Sequence, residues 1–365
     1  MKPPRQRIGR HLTAVVVTLL VILLPALVGG SGIDAVPHPA ERAALGLDGE
    51  GVGAVSLPAQ AFYQIFAPLE EVRARPREVL PGARLASLVI LMAATGLFYL
   101  ALVVVRGRVT ALASCLALAF LPPIAHEGYV LRPELPSQLF SLFGLLLSVS
   151  LPVMARPRPG VSVVWRHCSV IAVVVFASVL FGLATACQPR SGFLLLLPGG
   201  CLALLTGTVL LAYPRWVRRR GWLRLPVHAG SRRLLLWLSF SLVAMTATFL
   251  MLEKGVEGDV QKLVPSISSV SILPPFLPLA IVMAGLAGIG LLTMSIGVGA
   301  KISRQRRITS DAVLLVYVAA MLSQAAFAPA GIDALAGAFA LAVLVGDGGV
   351  LLLRSALVFH VARHS

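Results

Sequence analysis

Ten stretches of apolar sequence follow one another along this chain, at about 12–30, 83–105, 109–125, 135–154, 168–186, 191–213, 234–252, 275–298, 311–328 and 333–358. Each is about 17 to 25 residues long, enough to cross the roughly 30 Å hydrocarbon core of a bilayer as a helix. Lipid offers the backbone no hydrogen bonds, so only helices and closed barrels span it. A barrel would show segments of about ten residues with alternating polarity, and none is present. The composition, 58% hydrophobic with only 7% aromatic and 13% charged, is that of lipid-spanning helices. The expected fold is all-α, a polytopic transmembrane helical bundle forming one integral-membrane domain over residues 1–365.

The charges give this count an orientation. Lys and Arg collect in cytoplasmic loops, and with the N-terminus inside, 21 of the 31 basic residues fall in the inner segments. Thirteen of the fifteen acids fall outside. Omitting one span would scramble that asymmetry, so the reading places both termini in the cytoplasm, as expected for a multi-pass protein of an inner or plasma membrane. The first run, preceded by MKPPRQRIGRH, reads either as a retained first helix or as a cleavable signal. Its length and the many spans that follow favour retention.

A net charge of +16 raises the question of nucleic acid, but the basic residues lie between apolar runs with no accompanying aromatic or zinc module. No nucleic-acid partner is expected. Residues 214–233 carry seven basic residues with Trp216 and Trp222, and read as a cytoplasmic anchor on anionic membrane lipids, each basic residue adding about 1 kcal/mol. Cys115, Cys168, Cys187 and Cys201 have no CxxC spacing or His partner and read as small buried hydrophobes.

Two outer segments are longer than turns need to be. Residues 31–82 contain an amphipathic stretch, with Phe62, Ile65, Phe66 and Leu69 on one helical face and Glu70, Glu71, Arg73 and Arg75 beyond it. It reads equally as a helix on the outer leaflet and as a cap on the bundle. The segment carrying Glu253, Glu257 and Asp259 reads as a flap or as a solvated connector.

No phosphate-binding loop, GxSxG elbow, HExxH helix or dinucleotide fingerprint is present. What remains is a set of charged groups beside apolar runs, where charge is costly and marks function. Asp34 follows the first run, Glu41 lies seven residues on, and His126, Glu127, Arg132 and Glu134 share the segment between the third and fourth runs. Paired carboxylates suit group transfer from a lipid-linked donor. One can deprotonate an acceptor hydroxyl or hold a divalent cation such as Mg or Mn, while an Arg fork binds the departing phosphate.

The run from Pro81 to Met154 resembles the second to fourth spans of the GT-C class of integral-membrane glycosyltransferases, which includes protein O-mannosyltransferases and aminoarabinose transferases. The resemblance rests on ARLAS opening a span, on LALAFLPPIAHEGYVLRPELP between two spans, and on FGLATACQPRSGFLLLLPG further along. It implies a polyprenyl-phosphate-linked sugar donor, an inverting transfer at the outer surface, and an envelope glycan, lipid or protein as acceptor. Its catalytic acid lies in the first outer loop, often as an Asp-Glu pair. Here Asp34 is followed by Ala35, with Glu41 the nearest glutamate. The class's Arg-x-acid pattern is matched by Arg132-Pro133-Glu134.

On this basis Asp34 is expected to be the general base and Glu134 to position the acceptor or a metal, with both as candidate metal ligands. Arg132 is expected at the donor phosphate, with Glu127, His126 and Glu41 as further substrate contacts. Members of the class run longer, so a divergent or truncated member lacking part of acceptor recognition is the expectation. Two rival readings stand. The missing Asp-Glu pair fits a non-catalytic lipid-binding or assembly protein of the same fold. A secondary transporter would need ionisable groups inside the membrane, for which only Asp347 and Arg354, seven residues apart in the last run, qualify.

Overall fold

Helix follows apolar sequence wherever the computed structural model describes the chain, namely residues 4–30, 41, 76–125, 128–132, 134–154, 163–187, 313–314, 317–318, 321–322 and 334–364. The elements are α1 (Pro4–Gly29), α2 (Pro76–Val105), α3 (Arg108–Phe120), the single turn α4 (Pro122–Ala125), α5 (Glu134–Met154), α6 (Val163–Cys187) and α7 (Ala334–His364). No strand occurs among the described residues. Three of the helices hold stretches long and apolar enough to cross a membrane, Val79–Val105, Cys168–Cys187 and Leu335–Leu357. Shorter apolar stretches occupy Ala14–Val28, Arg108–Phe120 and Glu134–Ser150. These six coincide with six of the ten apolar runs. The runs at 191–213, 234–252 and 275–298, most of 311–328, the amphipathic stretch of the first outer segment and the basic segment 214–233 lie outside the described residues.

Several boundaries differ from the hydropathy reading, α1 and α6 starting ahead of their apolar runs and α7 running on past its own, and the start of α2 is the one that bears on the site. Helix α2 begins at Pro76 instead of near residue 83. Charge at Arg77, Glu78 and Arg84 ends the apolar run early but does not stop a helix, and Pro at a first helical position removes an N–H that would have no intrahelical partner. The outer segment therefore gives up its last residues to α2.

The helices pack through apolar and small side chains. Helix α2 lies against α5, and α5 against α6; α1 rests on α2 and α3, while α7 packs chiefly on α3. Phe98 of α2 meets Phe339 of α7 edge to face, with ring centroids 5.2 Å apart. Gly144 of α5 faces the Phe181 ring of α6, where an added Cβ would come within 3.0 Å. Between α3 and α7 the backbones nearly touch at Ser114 and Gly346, beside the buried Ala338 and Ala342. Small residues permit such close approach, which drives helix association where lipid removes the hydrophobic incentive.

Most buried hydroxyls bond inside their own helices or across to neighbours, Ser87 and Ser114 being exceptions among the described residues. Thr95, Ser148, Ser178 and Thr185 donate to the carbonyl four residues back. Ser137 of α5 donates across to the Ala184 carbonyl of α6 at 2.7 Å. Further along the same face, Gln138 reaches the Met321 sulfur at 3.7 Å and the Ser141 hydroxyl lies 3.4 Å from that of Tyr317. This face of α5, apolar by composition, is lined with small polar groups where it meets other elements.

The α2–α3 turn is made by Arg106 and Gly107. Both backbone N–H groups close onto the Leu102 carbonyl, at 2.7 and 3.1 Å. Gly107 adopts φ 92°, ψ 173°, a region that costs a residue with a Cβ about 1–3 kcal/mol. Since a Cβ there would meet nothing within 4 Å, Gly107→Ala is expected to lower stability by that backbone term alone. Thermal unfolding in detergent checks this, with Gly82→Ala, at an equally open position inside α2, expected to leave the transition unchanged or higher.

The last apolar run forms the long helix α7, which carries both Asp347 and Arg354. The helix continues to His364 and Asp347 faces Arg106 in the α2–α3 turn, 3.5 Å away, with Arg354 exposed. Helical spacing reveals only neighbours on the same helix, whereas the partner here comes from another element. The pair is partly exposed and ties α7 to that turn.

Candidate functional site

Glu41 of the first outer segment lies beside the stretch that carries Arg132 and Glu134, at one end of α2 and α5. After α3 ends at Phe120, Leu121 turns to an extended conformation and α4 closes with Ile124 and Ala125 both donating to the Leu121 carbonyl, at 2.9 Å each. The chain then passes through Gly128, Tyr129, Val130, Leu131 and Arg132 before α5 begins at Glu134. Prolines at 122 and 123 and at 133 punctuate this path. The residue before a proline is pushed away from helix, which separates α3 from α5 and makes room for a loop.

Glu41 lies against this loop, fully buried. Its carboxylate takes both arms of the Arg84 fork, Nε to Oε1 at 3.0 Å and Nη2 to Oε2 at 2.6 Å. The Leu131 backbone N–H donates to the same Oε1 at 3.2 Å. Arg84, two turns into α2 and 1% exposed, also carries its guanidinium 4.9 Å from the centre of the Tyr129 ring. Fork pairing is the strongest geometry for an Arg and a carboxylate, and the ring face adds a cation–π attraction. Three segments are thus tied together: the first outer segment at Glu41, α2 at Arg84, and the loop at both Tyr129 and Leu131.

Arg132 and Glu134 follow directly and are both buried. Glu134 opens α5, where the helix dipole favours a negative side chain, and the Leu135 N–H reaches back to the Arg132 carbonyl at 3.4 Å. The structure therefore brings together three of the residues singled out in the sequence, Glu41, Arg132 and Glu134. Asp34, His126 and Glu127 lie outside the described residues. Among the described residues no three His, Cys, Asp or Glu side chains gather as a metal site. Of the two candidate ligands, Asp34 and Glu134, Glu134 is the one among the described residues, and the nearby Glu41 carboxylate is turned to a guanidinium.

Arg84 and Tyr129 were not among the sequence candidates. The signal for Arg84 was present, a lone charge at the opening of a long apolar run, which is the kind of residue that must find a partner. Its partner stands 43 residues away, beyond any local pattern.

No protein-family model and no curated protein matches the chain. Solved structures do resemble it. Archaeal oligosaccharyltransferase AglB from Archaeoglobus fulgidus, in complex with an inhibitory peptide and a dolichol-phosphate, aligns at 11% identity and a TM-score of 0.49, over 95% of this chain and 51% of that one. ArnT from Cupriavidus metallidurans, bound to undecaprenyl phosphate, aligns at 16% identity and a TM-score of 0.48, over 96% of this chain and 63% of that one. These structural neighbours belong to the GT-C class that the sequence resembles. The chain spans less than two thirds of either neighbour's length.

Proposed function

We propose that this chain is a membrane glycosyltransferase that moves a sugar from a polyprenyl-phosphate donor to an envelope acceptor at the outer face of an inner or plasma membrane. In this reading ten spans leave both termini in the cytoplasm, and residues 31–75 with the α3–α5 loop lie outside. The observation that carries it is the buried meeting of Arg132 and Glu134, at the head of α5, with the first outer segment at Glu41. Burying charge between apolar helices is expensive, and a lipid phosphate and a sugar hydroxyl are ligands such charge serves.

Asp34 accepts the proton of the acceptor hydroxyl. The acceptor oxygen bonds to the anomeric carbon as the bond from that carbon to the phosphate oxygen breaks, and the electron pair leaves with polyprenyl phosphate. Displacement from the opposite face inverts the anomeric centre. Arg132 receives the charge growing on the phosphate, where a positioned guanidinium lowers the barrier most, and Glu134 orients the acceptor with His126 and Glu127 beside it. Anionic lipids hold the basic segment 214–233 on the inner face.

The test is transfer by the purified protein in lipid, using a panel of radiolabelled polyprenyl-phosphate sugars with envelope extract as acceptor, alongside Asp34→Ala. Loss of a general base is expected to cost the variant about 10²–10⁴-fold in turnover with normal membrane insertion. Full activity in Asp34→Ala would remove it as the base. Donor binding without turnover by the wild type would favour the non-catalytic relative, to which the missing glutamate beside Asp34 points.

A further inference from the structure

We propose that Glu41 and Arg84 are positioning residues: their buried ion pair is a strut that sets the Tyr129–Glu134 loop against the first outer segment and α2, and so places Arg132 and Glu134 for transfer. The inference rests on the glycosyltransferase reading and moves Glu41 from substrate contact to support.

The geometry points to this role in three ways. The Glu41 carboxylate is engaged by protein groups, accepting two hydrogen bonds from the Arg84 fork and one from the Leu131 N–H. Leu131 is adjacent to Arg132, so one carboxylate oxygen bonds both the α2 guanidinium and the residue beside the proposed phosphate ligand. Tyr129, two residues before Leu131, has its ring centre 4.9 Å from the central carbon of the same guanidinium. The loop is thereby held at two points, two residues apart, Tyr129 by the Arg84 guanidinium and Leu131 by the Glu41 carboxylate that the same guanidinium fixes. A planar fork holds direction as well as charge, which an ammonium cannot do. Glu41 is also seven residues beyond Asp34, at most about 25 Å of extended chain, so fixing Glu41 limits where the proposed base can be.

Catalysis is sensitive to such placement, since a displacement of about 1 Å costs on the order of 100-fold in rate. Affinity for the donor depends largely on burial of its long apolar tail, which the strut does not touch. The expected signature is a fall in kcat with little change in KM.

The experiment compares the wild type with Glu41→Gln, with Arg84→Lys, and with the double variant Glu41→Gln/Arg84→Gln, which removes both charges and so avoids a lone buried ion. Two quantities are read on each purified protein: hydrogen exchange at the Leu131 amide, and steady-state transfer kinetics. The expected result is Leu131 exchange faster by about tenfold or more, with exchange in the core of α2 unchanged. In transfer, kcat should fall by about 100-fold while the donor KM stays within about threefold, Arg84→Lys included. Unaltered Leu131 exchange in the variants would overturn the strut. Faster exchange with wild-type kcat would overturn its positioning role. A wild type that transfers no sugar from any donor would sink the glycosyltransferase reading and the catalytic role together, while Leu131 exchange would still decide whether the strut exists.

Discussion

Arg84→Ala is expected to destabilise the protein by about 3–5 kcal/mol, the usual consequence of removing one partner from a buried ion pair and leaving the other charge behind. Glu41 is fully buried and would lose both arms of the fork, keeping the Leu131 N–H as its remaining bond within this cluster. Tyr129 would lose the guanidinium on its ring as well. Thermal unfolding in detergent and the fraction of protein recovered in the membrane both read the effect. Adding Glu41→Ala to the same chain should return part of the loss, because it is the stranded carboxylate that is costly. A double variant no better than Arg84→Ala alone would mean that the damage comes from lost packing.

Gly346→Ala is the second large effect expected, about 3 kcal/mol or more, at the top of the range for overpacking a well-filled interior. A methyl group on Gly346 would collide with the Ser114 hydroxyl and come within 2.6 Å of its backbone N and 2.7 Å of its Cα. The hydroxyl can rotate away, but the backbone cannot, so α3 and α7 would have to move apart. Because Asp347 is the next residue, the 3.5 Å contact with Arg106 should lengthen at the same time. Gly349→Ala is the matched control: nothing lies within 4 Å of that position, and Ala is favoured over Gly in a helix by roughly 0.5–1 kcal/mol. Unfolding temperatures that fall for Gly346→Ala and hold or rise for Gly349→Ala would establish the seam. Removing the hydroxyl with Ser114→Ala should not rescue Gly346→Ala, since the obstructing atoms are main chain.

Six helices were readable from the sequence because spanning a bilayer is a demand on length and composition, and both are visible without knowing a single contact. Boundaries were less so. Hydropathy stopped at Arg84 and placed the start of a span there, whereas the helix runs back to Pro76 because backbone hydrogen bonding is indifferent to the charges it passes. The grouping of Arg132 with Glu134 was legible, being local in the chain. Their meeting with Glu41 was only implied by resemblance, and the role of Arg84 was missed, since an ion pair across 43 residues leaves no periodic trace. Arg106, the partner of Asp347, likewise comes from another element and leaves no local trace. The small polar face of α5, from Ser137 through Ser141, was hidden for a different reason: in an apolar run, serine and glutamine lower the hydropathy only slightly, and their partners on other elements appear only when the chain is folded.

The contact between α3 and α7 joins residues near 114 to residues near 346, with more than two hundred positions of chain made in between. During synthesis α3 enters the membrane early, and the groove beside Ser114 then faces lipid or whatever shields nascent helices until Ala334 and its successors arrive. The α2–α3 hairpin can form at once through its tight Gly107 turn, but its seam stays open for most of the time the ribosome spends on this protein. Variants that weaken that seam should therefore be lost in large part before assembly is complete, through clearance of unfinished chains, so that the yield of finished protein falls as well as its unfolding temperature.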